Sequence, residues 1–207
     1  MRPLTTALAA AALLGALAGL TGCAAGQEES DPSPEAEDTC DLLTSEQVTA
    51  VAGEDLGDPE PGEVTGLPTC RWGSPAGIGV QVIDVPVTEW VANLGPALDG
   101  AEAELGDDPK NAAKIAEARR ILASGEVDDV TGCELFSVFV ELQGFGPGLD
   151  RIVNVIPSRE QPEAVTAQAC GDGRFSSVLI QGSSVTGSDA EVDRVDAALD
   201  AVLADAN

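Results

Sequence analysis

Cysteine is the residue type that most restricts what this chain can fold into: Cys23, Cys40, Cys70, Cys133 and Cys170 occur without a single histidine. A structural zinc site would need closely spaced ligand pairs such as C-x-x-C, or His partners. Neither is present, so disulfides are the expected use. Five is an odd number, which in an exported protein leaves a stray thiol or an intermolecular bond unless one cysteine is otherwise engaged. The four from Cys40 onward admit three pairings. Joining Cys40 to Cys70 and Cys133 to Cys170 keeps each bridge within one half of the chain and is the expected arrangement. Each such loop should contribute about 3 to 4 kcal/mol in the chain-entropy account.

The amino terminus bears on the fifth cysteine. After Met1, Arg2 and Pro3 the chain runs uncharged through Ala, Leu and Gly as far as Gly22. A positive start, an apolar stretch and small residues at its end make a secretory signal. A membrane-spanning helix needs about 20 strongly apolar residues; this segment is weakly hydrophobic and no basic cluster follows it, so residues 1–22 are expected to be removed. Leu20-Thr21-Gly22-Cys23 resembles the lipobox of bacterial lipoproteins. The resemblance implies a diacylglyceryl group on Cys23, cleavage before it and further acylation, as with palmitate. Ordinary signal-peptidase cleavage near Ala24 or Ala25 is the competing reading. Two or more acyl chains hold a protein stably, so the expected location is the extracytoplasmic side of the cell membrane. With Cys23 carrying lipid, four cysteines remain, all in a compartment where disulfides persist.

Charge excludes one large class of partners. Ten Lys and Arg stand against 36 Asp and Glu, a formal charge of −26. Phosphate backbones need a basic footprint, so no nucleic acid partner is expected. The excess is read as solubility of an exposed module. The expected partners are the membrane, through the lipid anchor, and an unknown protein or small molecule.

Residues 24–39, rich in Glu, Asp, Ser, Pro and Ala, bury too little apolar surface to order themselves. With Cys23 they form the expected disordered acidic tether. The folded domain should span residues 40–207, a usual size for one core. Thr44 as N-cap, Gln47 three residues on and Leu43 facing Val48 predict a helix ending at Gly53. Residues 54–68 read as an acidic surface loop. "TCRWG" and "GIGVQVIDVPV" read as strands joined by a turn at residues 74–77, with Val80, Val82 and Asp84 on one face and Gln81, Ile83 and Val85 on the other. A short helix follows from Thr88 through Trp90 to Leu94, broken at Gly95-Pro96.

Asp108, Pro109 and Gly125 bound the surest helix, with Ile115, Ala118 and Leu122 on its apolar side. It carries Lys110, Lys114, Arg119 and Arg120, a basic patch that helix physics explains. "CELFSVFVEL" alternates Phe136, Val138, Val140 and Leu142 and predicts a strand, paired across the "QGFGPGLD" loop with "RIVNVIP". A helix around Pro162 to Cys170, a strand "FSSVLIQG" and a final helix started by Ser188 and Glu191 complete the chain. Val192, Val195, Leu199 and Val202 share one side of that last helix. About four helices and five strands make an α+β single domain, a mainly antiparallel sheet covered by helices and stabilised by disulfides.

The catalytic inventory is thin. Without His or Tyr, and with the domain cysteines expected as disulfides, the usual bases and nucleophiles are missing. No G-x-S-x-G or S-x-x-K motif occurs. Gly144 to Gly148, "GFGPG", lacks the Lys and Ser or Thr of a phosphate loop and reads as a hairpin connection. Glu54, Asp55, Asp58, Glu60 and Glu63 do not fit the spacing of a calcium loop. Trp72 and Trp90 read as core or rim residues. No catalytic residue, metal or cofactor is therefore expected.

The lipobox, the acidic tether, "CDLLTSEQVTAVAG" and "CRW" together resemble the actinobacterial lipoproteins grouped as domain of unknown function 3558. The matching residues are Cys40, Leu42, Leu43, Thr44, Val48, Gly53, Cys70 and Trp72. The resemblance covers Cys23 to about Val85 and implies a lipid-anchored exported domain with no catalytic residues to carry over. The expected function is a non-enzymatic binding or interaction module of the cell envelope. The alternative is a substrate-binding or lipid-carrying lipoprotein with an apolar pocket.

Overall fold

The computed structural model describes residues 34–205 except 75 and 126. The signal segment, Cys23 and the tether as far as residue 33 lie outside the described residues. Among the described residues there are seven helices and six strands, and every neighbouring pair of strands is antiparallel. In chain order they are α1 (Pro34–Cys40), α2 (Ser45–Ala52), β1 (Glu60–Val64), β2 (Leu67–Gly73), β3 (Ile78–Pro86), α3 (Val87–Ala92), α4 (Gly95–Leu105), α5 (Pro109–Ser124), α6 (Asp129–Leu142), β4 (Arg151–Ser158), β5 (Gln161–Gly171), β6 (Arg174–Gly182) and α7 (Asp189–Asp205). The sheet order is β1-β2-β3-β6-β5-β4. This is an α+β fold.

Strand periodicity sorts the sheet into two buried faces. Val80, Val82, Val165, Ala167, Val178 and Ile180 meet α2 and α7 on one side. Val85, Ile152, Cys170 and Phe175 meet α3 to α6 on the other. The sheet is thus a middle layer between two groups of helices, with a hydrophobic cluster against each face.

Local signals hold where caps define them. Thr44 and Gln47 form the reciprocal capping box of α2, and Gly53 closes it at φ 82°. Asp108 accepts from the backbone N–H groups of Lys110 and Asn111 at the start of α5, and Gly125 ends it at φ 69°. In α7, Val195, Leu199 and Val202 are buried. There Glu191 also reaches back past Ser188, accepting from the Thr186 N–H and hydroxyl at 2.9 and 2.8 Å.

Four expectations are corrected. Residues 34–39 of the expected tether form α1 together with Cys40; the helix packs on β2 and buries Ala36 and Thr39. The supposed surface loop contains β1, joined to β2 through Thr65 and Gly66, both at positive φ as a tight hairpin turn requires. The expected strand of Cys133 to Leu142 is helix α6. Its buried set, Gly132, Leu135, Phe136, Phe139 and Val140, follows helical spacing, and Asp128 caps it. The expected helix from Pro162 to Cys170 is strand β5, which pairs with β4 and β6 and is buried on both faces. The glycine run 144–148 therefore connects a helix to a strand.

The two disulfides join Cys40 to Cys70 and Cys133 to Cys170, with Cα separations of 4.9 and 5.4 Å. They fit an oxidising, extracytoplasmic environment. No helix among the described residues is long and apolar enough to cross a membrane.

Candidate binding groove

Helix α6 and the β5–β6 turn build one concave surface. Asp128 starts α6 by accepting from the Thr131 N–H at 2.9 Å, and that bond holds the Asp128 carboxyl below its ordinary range. Gly132 lets the helix sit against α3: a Cβ there would stand 2.8 Å from Val87 Cγ2. The Cys133–Cys170 bridge then ties α6 to the end of β5. Beyond it, Asp172 and Gly173 make a two-residue turn at φ 49° and 75°. A Cβ on Gly173 would lie 2.7 Å from Asp129 Oδ2, so the glycine admits the first turn of α6.

Between α6, the Gly148–Asp150 segment and this turn runs an open groove of about 810 Å³. The Cys133–Cys170 disulfide, Val130, Val138 and Leu149 give it apolar surface. Val130 is 69% exposed and Leu149 37%, and among the described residues they are the exposed large hydrophobic side chains. Five carboxylates also line the groove: Asp129, Glu134, Glu141, Asp150 and Asp172. Glu141 is paired with Lys114; the other four make no ion pair among the described residues. No Lys or Arg lines it. The Ser137 side chain lies there too, its Oγ shielded from water and without a hydrogen-bond partner.

A smaller concavity of about 270 Å³ adjoins it, sharing Asp150, Cys170, Gly171 and Asp172. Its two arginines are already committed. Arg151 binds Asp196 and Asp200 of α7. Arg174 donates through Nε to Asp84 Oδ2 at 2.8 Å, while Ser176 donates to Asp84 Oδ1 at 2.6 Å.

Other sequence-derived candidates fall elsewhere. Trp72 and Trp90 are both buried; Trp90 stacks on Phe175 at 4.8 Å and meets Phe136 and Phe139 edge-on. The residues Glu54, Asp55, Asp58, Glu60 and Glu63 sit before and on β1, at the opposite edge of the sheet from β4. Among the described residues no group of three or more metal-ligating side chains converges. The basic patch of α5 is largely neutralised, because Arg119 binds Asp99 and Glu102 while Arg120 binds Glu117. Sequence reasoning missed the groove. Its one strong local signal was Asp172-Gly173, a dipeptide that favours two-residue hairpin turns.

No known protein family matches the chain, and neither does a curated protein or a solved structure.

Proposed function

We propose that this chain is a lipid-anchored, extracytoplasmic module that acts by binding, with the α6 groove as its contact surface. The carrying observation is the convergence of Val130 and Leu149 in one open groove beside a disulfide. Exposed apolar side chains gathered in a concave surface offer a partner apolar area to bury. Anchoring rests on Leu20-Thr21-Gly22-Cys23, and on the parity that leaves four cysteines for two bridges. Kinship with the lipoproteins of domain of unknown function 3558 rests on that motif together with Cys40, Thr44, Gly53, Cys70 and Trp72. That kinship carries no catalytic residues.

The carrier alternative needs space for an apolar ligand. Both sheet faces are filled by packed side chains, and neither of the two concavities is enclosed, which weighs against it. Native mass spectrometry of the chain purified from its host separates the two readings. A chain without non-covalently held lipid is expected; a stoichiometric lipid bound beyond the covalent anchor would replace the contact-surface reading with the carrier. Anchoring has its own test, metabolic labelling with a palmitate analogue. Label should enter the wild-type chain and be absent from Cys23→Ala, and equal labelling of the two would remove the anchor.

A further inference from the structure

We propose that the groove takes a basic, amphipathic peptide segment of a partner protein, a deepening that rests on the binding reading above. The α6 wall is a stripe of Asp129, Val130, Cys133, Glu134, Ser137 and Glu141, residues recurring at helical spacing along nearly the whole helix. At 1.5 Å per residue this wall is about 18 Å long, enough to lie beside about three turns of another helix. Apolar Val130 and Leu149 would receive the partner's apolar side chains, and the carboxylates would meet its Lys or Arg. A low-dielectric floor strengthens attraction at such a rim.

Charge also decides where the occupant comes from. The chain has ten Lys and Arg, of which Arg2 lies outside the described residues. Among the nine described, Arg71, Lys114, Arg119, Arg120, Arg151, Arg159, Arg174 and Arg194 are ion-paired within the chain, and Lys110 alone is not. A second copy would bring basic residues already neutralised by its own carboxylates, on a chain of formal charge −26, so it offers the groove little net positive charge. Residues 24–33 of this chain carry Glu28, Glu29 and Asp31 and no base, so they would be repelled. Anionic headgroups and nucleic acid are repelled for the same reason. A different protein with its own unpaired basic residues fits.

The full chain, captured on a sensor surface by a carboxy-terminal tag, tests this against three peptides of about twelve residues, a length matched to the α6 wall. One carries Leu and Lys in helical register, one replaces Lys by Gln and one replaces Lys by Glu. The Lys peptide should bind saturably, the Gln peptide about tenfold more weakly, and the Glu peptide not at all. Val130→Ser and Leu149→Ser should each weaken the Lys peptide about tenfold. Glu134→Lys should weaken it more than Asp193→Lys, an equal charge change on an exposed residue of α7. Equal effects of those two changes, or indifference to Val130→Ser and Leu149→Ser, would reduce the binding to general attraction for an acidic surface and overturn the groove. Equal affinity for the Gln and Lys peptides would overturn the basic class while leaving the contact surface standing. Binding of none of the three would overturn both.

Discussion

A single buried carboxylate shows how unequally one ion pair divides between its partners. The Asp84 side chain is 2% exposed and that of Arg174 35%. Removing Arg174 leaves a charge inside the sheet with the Ser176 hydroxyl for company; removing Asp84 leaves a guanidinium that can turn toward water. Breaking a buried pair is costly because of the charge left behind. Arg174→Ala should therefore lose about 3 kcal/mol and Asp84→Ala about half of that. Urea unfolding of both variants measures the two losses. Equal losses, or a larger one for Asp84→Ala, would mean that Arg174 is the member trapped by burial.

At the scale of elements, α6 is held by what its residues lack. A Cβ on Gly132 would collide with the Val87 methyl groups, whereas Gly100 in α4 has no heavy atom within 4 Å of that point. Gly132→Ala should destabilise by about 1 to 3 kcal/mol through overpacking. Gly100→Ala should stabilise by about 0.5 to 1 kcal/mol through helix propensity. Thermal unfolding of the pair checks the opposite signs. A gain for Gly132→Ala would show that α6 can move away from α3 freely. The same elements explain what could be read beforehand. Helices α2, α5 and α7 were legible because Thr44, Asp108 and Ser188 announce their starts. Helix α6 was not, since Phe136, Val138, Val140 and Leu142 alternate like a strand and the capping Asp128 stands beside a second aspartate, Asp129. Strand β5 was hidden by its alanines: Ala164, Ala167 and Ala169 favour a helix alone, yet are buried in the middle of a sheet covered on both sides. Both misread elements wall the groove. No local pattern brings Val130 and Leu149 into one groove; the packing of α6 beside the Gly148–Asp150 segment and the β5–β6 turn does.

For the whole molecule, the question is whether two hydrophobic clusters make one cooperative unit. Cys70 belongs to the cluster under α2 and α7, and Cys170 to the cluster under α3 to α6, so each layer has its own bridge. The strands, however, are shared. In β3, Val80 and Val82 face one cluster and Val85 the other; in β6, Val178 and Ile180 face one and Phe175 the other. Neither layer can lose its packing without exposing a face of the same strands, so the fold should unfold in one transition. Closing a sequence separation of 37 residues contributes about 3 to 4 kcal/mol in the chain-entropy account. The double variant Cys133→Ser with Cys170→Ser should accordingly melt about 6 to 16 °C lower, still as one peak. Calorimetry reads both quantities. A second, resolved peak would mean that α3 to α6 fold as a separate unit on a sheet that stands without them, and the groove would then belong to the less stable half of the molecule.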